Sequence, residues 1–235
     1  MVPVRIELNR QGTAPLSELP PLSAFTAPEV LRLQREGAVV VDTRPVMEFA
    51  VAHVPGSVHI ALTGQYASWA ARILGLETRL IICGEDLPHV CESQAGLARA
   101  GVGNVAGYLA DIVSGWIKNG FEIEYIPQVA VQELVDLLEQ EPDRTAVLDV
   151  REPGELSGGV IEKSAHIPLG ELQSRIGELD RERLLVVYCR VGYRSSIATS
   201  LLRRVGFRDI ANLTGGFESW KTAGLPYLVP VGDRD

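Results

Sequence analysis

Apolar positions along this chain fall into short unbroken runs and longer gapped ones, and the two patterns alternate. Ala38-Val39-Val40-Val41, Ala146-Val147-Leu148 and Leu184-Leu185-Val186-Val187-Tyr188 are unbroken, too short for helices and rich in branched residues. Each is predicted to be a buried strand. The gapped runs have helical spacing. Val30, Leu31 and Leu33 form a partial apolar face after Thr26-Ala27-Pro28-Glu29, where Thr26 and Glu29 make a capping box, Pro28 suits the first turn and Gly37 supplies the stop. Val131, Leu134, Val135 and Leu138 repeat the pattern, as do Ile197, Ala198, Leu201, Leu202 and Val205, for which the predicted helix runs from Ser195 to Arg204 and ends at Gly206. Helix followed by apolar strand, more than once, predicts an α/β fold in which mostly parallel sheets are flanked by helices.

The order of these elements recurs. Val41-Asp42-Thr43-Arg44 matches Leu148-Asp149-Val150-Arg151 at an offset of 107 residues, and His59-Ile60-Ala61-Leu62 matches His166-Ile167-Pro168-Leu169 at the same offset. Leu97 to Gly101 matches Leu202 to Gly206 at 105, and Trp116 matches Trp220 at 104. Such drift is that of two diverged copies of one domain. The expected division is an extended, proline-containing lead-in over residues 1–22, a first domain over 23–124 and a second over 125–235. Phe121 to Pro127, between the copies, alternates like extended chain and is neither long nor Gly/Ser-rich, so the two domains are expected to pack together.

Chemistry concentrates in the second copy, at Cys189-Arg190-Val191-Gly192-Tyr193-Arg194-Ser195. The strand and helix patterns on either side place Cys189 at the carboxyl tip of a strand, on a tight loop that opens a helix. Backbone amides of such a loop point inward and, with the helix dipole, form an anion-binding nest. With Arg190 and Arg194 nearby the setting favours thiolate over thiol. Gly192 lets the loop close at a backbone angle other residues avoid. The thiol is therefore expected at a pocket with amides aimed at it, the alternative being a buried structural cysteine whose arginines sit in solvent.

Cys-Arg-x-Gly-x-Arg-Ser resembles the active-site loop of the rhodanese sulfurtransferases. Asp149-Val150-Arg151-Glu152 resembles their Asp-x-Arg-Glu signature, and Thr214-Gly215-Gly216-Phe217-Glu218-Ser219-Trp220 followed by Ala223-Gly224-Leu225-Pro226 resembles their closing helix and tail. The resemblance implies two tandem rhodanese-like domains and a sulfurtransferase needing no cofactor. Cys189 would be the nucleophile, taking the outer sulfur of thiosulfate or a persulfide and passing it to a thiol or cyanide. The loop from Arg190 through Val191, Gly192, Tyr193 and Arg194 to Ser195 would bind the substrate. Arg190 would face the anionic donor, and Arg194 would tie the loop to its own domain through a carboxylate such as Asp149. Arg151, Glu152 and Glu155 would border the site or serve as solvated or structural charges. The lead-in resembles the linker in fusions of metallo-β-lactamase-like persulfide dioxygenases with rhodanese repeats, which suggests an alternative: a persulfide carrier that docks to a separate dioxygenase. A phosphatase or arsenate reductase is the other rival. Their loop holds five residues between Cys and Arg, against four here, and four suits a sulfur atom better than a phosphoryl group.

The first copy lacks this chemistry. Its Cys83-Gly84-Glu85-Asp86-Leu87-Pro88-His89-Val90-Cys91 has no arginine, places acids where an anion would bind, and puts Gly84, not Cys83, opposite Cys189. A non-catalytic domain is expected, with Cys83 a core residue; a relay role for Cys83 or Cys91 is the alternative. His53-Val54-Pro55-Gly56-Ser57 resembles the family's His-x-Pro-Gly-Ala turn, from which Val160-Ile161-Glu162-Lys163 departs. The net charge of −8 argues against nucleic acid or an anionic membrane surface as partner. Three irregularly spaced cysteines make neither a disulfide framework nor a zinc site, and with no apparent signal segment a cytoplasmic location is expected.

Overall fold

The computed structural model describes residues 19–230, so most of the lead-in lies outside the described residues. The first copy runs β1 (Ser23–Phe25), α1 (Ala27–Arg35), β2 (Val39–Asp42), α2 (Val46–Val51), β3 (Val58–His59), α3 (Tyr66–Leu74), β4 (Leu80–Cys83), α4 (Leu87–Arg99), β5 (Val105–Leu109) and α5 (Ile112–Lys118). The second runs β6 (Gln128–Val129), α6 (Val131–Gln140), β7 (Thr145–Asp149), β8 (Ala165–His166), α7 (Leu172–Arg175), β9 (Leu184–Tyr188), α8 (Tyr193–Arg204), β10 (Ile210–Leu213) and α9 (Gly216–Thr222). Two five-stranded sheets result, ordered β1-β5-β4-β2-β3 and β6-β10-β9-β7-β8. All their pairings are parallel.

Repetition extends to individual hydrogen bonds. Asp42 holds the Arg44 guanidinium as Asp149 holds that of Arg151. His59 Nε2 meets the Arg44 carbonyl at 2.9 Å, as His166 Nε2 meets that of Arg151 at 2.9 Å. Trp116 and Trp220 each donate Nε1–H to a carbonyl six residues on. Even the turn in which the copies differ by sequence is kept in backbone: Gly56 at φ +72° has its counterpart in Lys163 at φ +61°. Tertiary context there holds a lysine in the left-handed region that glycine takes freely.

Strand alternation divides the core. Val39 and Val41, Leu80 and Ile82, Leu148, Leu185 and Val187 face one continuous cluster that also takes in Trp69, Ile73, Leu172, Leu201 and Leu202. That cluster contains residues of both copies, so the sheets share an inner core. Val40, Ile81 and Cys83 face an outer core with α1 and Trp116, while Val147, Val186 and Tyr188 face another with Leu134, Phe217 and Trp220. Because side chains alternate strictly along a strand, one residue decides which core a side chain enters.

Helix α8 meets both copies, and Ser195 through Leu202 are buried without a break. Two of its hydroxyls are satisfied within the helix: Thr199 donates to the Ser196 carbonyl at 3.0 Å and Ser200 to the Ile197 carbonyl at 2.7 Å. A helix covered on all sides needs small residues and bonded polar groups, which explains a core helix so rich in serine.

Candidate active site

β9 ends at Tyr188 and delivers Cys189, and only Cys189, Arg190, Val191 and Gly192 separate the strand from α8. The helix starts at Tyr193, two residues before the predicted Ser195, because Gly192 at φ +102° turns the chain at once. Tyr193, Arg194 and Ser195 thus form a first turn whose amides have no acceptor within the helix. The Gly192 N–H donates to Cys189 Sγ at 3.2 Å and the Ser195 hydroxyl at 3.5 Å. The N–H groups of Arg190, Val191, Tyr193, Arg194 and Ser195 have no acceptor among the described residues. One amide of the loop is committed to the sulfur and five others are unspent.

The loop carbonyls are turned away by α9. Phe217 N–H donates to the Cys189 carbonyl at 2.8 Å and Glu218 N–H to that of Arg190 at 3.0 Å. Such a close approach requires Gly216: at φ +58°, a Cβ there would lie 2.4 Å from the Cys189 carbonyl oxygen. The α9 amino terminus therefore fixes which way the loop's peptide groups point.

Charged residues sort differently from the sequence expectation. Arg194 does not reach Asp149; it makes a two-pronged pair with Glu155, with Nη2 to Oε1 at 2.7 Å. Asp149 is occupied by its near neighbour Arg151, whose Nε lies 2.9 Å from each carboxylate oxygen and whose N–H donates at 3.0 Å. Arg151 is buried, 4.3 Å from the Phe217 ring centre. Arg190 is exposed, with Nε 3.4 Å from a Glu218 carboxylate oxygen. A cavity of about 280 Å³ beside the loop is lined by Arg151, Glu155, Ser157, Arg190, Glu218 and Lys221, among others. Cys189, expected in the wall of such a pocket, is 1% exposed and belongs to the inner core. Strand alternation is the reason: Leu185, Val187 and Cys189 share one face, and Arg190 falls on the other.

The Arg194 hydrogen bond holds the Glu155 carboxyl below its ordinary value of 4.5, against a smaller opposing effect of partial burial. A depressed carboxyl contributes stability above the unfolded-state value and loses it as pH falls through the folded one. We expect Glu155→Gln to lower stability at neutral pH by about 1–2 kcal/mol, a range suited to a half-exposed charged pair. That difference should shrink as pH falls below 4.5, a trend that paired thermal melts across the range will check.

The first copy has the same ladder without the loop. β2 pairs Asp42 with Cys83, and β7 pairs Asp149 with Tyr188, so Cys83 occupies the place of Tyr188 and Gly84 that of Cys189. Cys83 faces the outer core, away from the face that carries Cys189, and complete burial pushes its thiol up. A Cβ on Gly84 would meet the His89 ring at 3.1 Å and Val90 at 3.1 Å. His89 itself is held by Glu85 at 3.0 Å and by the Thr43 carbonyl at 3.1 Å. The space a sulfur would need is filled. Gly84→Cys in a Cys189→Ser background should accordingly take up no sulfur, as intact mass would register.

A parallel α/β domain that presents a cysteine at a strand tip, inside a loop of unspent amides, belongs to a definable class of thiol-bearing folds. The chain belongs to the rhodanese-like family, whose domain model matches residues 26–119 and again 130–223. A sulfurtransferase of Allochromatium vinosum is 35% identical over 86 residues, 37% of this chain and 80% of that one. A putative sulfurtransferase of Bacillus subtilis is 31% identical over 105 residues, 45% of this chain and 97% of that one. Among solved structures, a rhodanese-related protein of Thermoplasma volcanium is 33% identical, with a TM-score of 0.41 over 44% of this chain and 99% of its own. Among the described residues no helix is long and apolar enough to cross a membrane, and no group of three or more His, Cys, Asp or Glu could hold a metal ion.

Proposed function

We propose that the second copy, residues 125–235, transfers sulfane sulfur through a persulfide on Cys189, while the first, residues 23–124, performs no transfer itself. The Cys189 thiolate attacks the outer sulfur of thiosulfate or of a persulfide. For thiosulfate the S–S bond breaks, its electron pair leaves with sulfite, and the protein keeps Cys–S–S⁻. Cyanide or a thiolate then attacks the terminal sulfur and departs as thiocyanate or a new persulfide, and the Cys189 thiolate is restored. Splitting one transfer into two displacements is the advantage of a covalent nucleophile. No oxidant, metal or cofactor is consumed.

The observation that carries this reading is the Gly192 N–H on Cys189 Sγ at 3.2 Å, amid loop amides with no other acceptor. Preorganised donors stabilise an anionic persulfide without rearrangement during the reaction. Arg190, exposed at the cavity rim, is the side chain suited to greet an anionic donor. Arg194 is committed to Glu155 and holds the loop's shape. Near-complete burial of Cys189 keeps bulk water from the carried atom. Steady-state turnover with thiosulfate and cyanide, repeated with a small thiol acceptor, tests the proposal. Multiple turnovers support an enzyme, whereas sulfur loading without turnover on either acceptor would favour a carrier serving a separate persulfide-forming enzyme. Hydrolysis of a small aryl phosphate would overturn both.

A further inference from the structure

His59 sits at the carboxyl end of β3 in the copy without chemistry, yet it is fully buried against the helix that follows the reactive loop. Its Nε2 meets the Arg44 carbonyl, so that nitrogen carries the proton and Nδ1 is left as acceptor. The donor to Nδ1 is the Ser196 hydroxyl at 2.7 Å. The His59 backbone N–H donates in turn to the Ser200 hydroxyl at 3.0 Å, one helical turn further along. Phe49 stacks on the ring with centroids 4.5 Å apart, which fixes its plane. A second tie starts in the loop itself: the Tyr193 hydroxyl donates to the Ala61 carbonyl at 3.1 Å, and its ring lies 3.6 Å from where a side chain on Gly64 would begin.

These ties are one-sided. His166 is the counterpart of His59, and among the described residues its ring makes only the Arg151 bond. At the offset of 105 that aligns the two helices, Ser196 and Ser200 correspond to Cys91 and Ala95, so α4 carries neither hydroxyl. The inactive copy keeps the histidine that grips, and only the copy with the reactive cysteine has the serines to be gripped. Ser196 follows directly on Ser195, whose hydroxyl touches Cys189 Sγ, and its own N–H donates to the Gly192 carbonyl at 3.1 Å. Gly192 is the residue whose amide meets the sulfur. From the ring of His59 to the sulfur the path therefore crosses two residues, Ser196 and Gly192.

We propose that the first copy is a positioning domain for the reactive loop, in which His59 clasps Ser196 and Ser200 while the Ala61 carbonyl anchors Tyr193. His59 touches no reacting atom; it acts through α8 by fixing the first turn, whose Ser195 hydroxyl and preceding Gly192 N–H meet the sulfur. Resting on the sulfur-transfer reading above, the inference gives that reading's silent domain a task in the same chain.

Because His59 variants risk misfolding at a fully buried site, the test uses Ser196→Ala and Tyr193→Phe in the full chain, each deleting one hydroxyl. Thiosulfate-dependent turnover and amide hydrogen exchange are measured on both. Loss of one buried hydrogen bond corresponds to roughly a tenfold effect. We expect kcat to fall by about that factor with KM within about twofold, since the clasp shapes the loop for the transition state rather than adding contacts to the donor. Exchange at Gly192 and through Ser196 to Ser200 should quicken by about tenfold while β6, β10 and α9 are unchanged. Wild-type kinetics and exchange in both variants would overturn the proposal. So would acceleration spread evenly through both sheets, the sign of a merely structural contact, or a raised KM at constant kcat. Should the unaltered protein transfer no sulfur at all, the sulfur-transfer reading fails, and the locality of exchange alone decides the clasp.

Discussion

Cys189→Ser is expected to abolish thiosulfate-dependent turnover, a loss of at least about 10³-fold in kcat/KM, because the proposed reaction places both of its displacements at that atom. The fold should survive the change. Serine is close to cysteine in size, and the Gly192 N–H and the Ser195 hydroxyl already face the position, so a buried hydroxyl there has partners. Cys83→Ser is the matching control with the opposite pattern. Cys83 faces the outer core of the first copy with no exposure, with Asp42 and Arg44 within side-chain reach, so a hydroxyl there has partners and stability should change by no more than about 1 kcal/mol. Its turnover should stay within about twofold of the wild type. Kinetics and melting curves on the two variants together separate the reactive thiol from the core thiol. A Cys83→Ser variant without activity but with normal stability would point to the relay role considered for that residue.

Gly216→Ala should be nearly as damaging from outside the loop. The added methyl would stand 2.4 Å from the Cys189 carbonyl oxygen and 2.8 Å from the Arg190 carbonyl carbon, at φ +58°. Backbone cannot yield as a flexible side chain does, so either α9 or the loop must shift. The strain in φ and the overpacking together amount to roughly 2–5 kcal/mol. Any shift large enough to relieve the contact would break the Phe217 and Glu218 hydrogen bonds that turn the loop carbonyls outward. We therefore expect a lowered melting temperature together with a loss of turnover of about 10²-fold or more, as for misplaced preorganised donors. Gly224→Ala, at φ +69° with nothing within 4 Å, is the comparison: its backbone strain is similar, but it touches no loop atom and should cost stability alone.

Much of this was legible along the chain because local rules and tertiary demands agreed. Unbroken branched runs such as Leu184 to Tyr188 could only be buried strands, and the offsets of 107 and 105 exposed the repeat before any fold was considered. The strand pairing of Asp42 with Cys83 and Asp149 with Tyr188 restates in register the one-residue displacement visible from Gly101 and Gly206. The partner of Arg194 was not legible. Choosing Glu155 over Asp149 depends on Arg151 folding back onto Asp149, a side-chain competition that spacing does not encode. The depth of Cys189 was also missed, although the alternation of Leu185, Val187 and Cys189 carried the signal. His59 gave less away: its repeat at His166 suggested a shared structural duty, and only the packing of α8 against β3 separates the two histidines. A faint trace existed in the hydroxyls of Ser195, Ser196, Thr199 and Ser200, since a helix so polar and yet buried must be bonded on more than one side.

The most direct measurement is the mass of the intact protein after brief incubation with thiosulfate or a low-molecular-weight persulfide, followed by removal of the donor. We expect a gain of one sulfur atom per chain, discharged by added cyanide, absent in Cys189→Ser and undiminished in Cys83→Ser and Cys91→Ser. A chain that gains no sulfur, or a Cys189→Ser variant that gains it all the same, would contradict the assignment of sulfur transfer to this thiol.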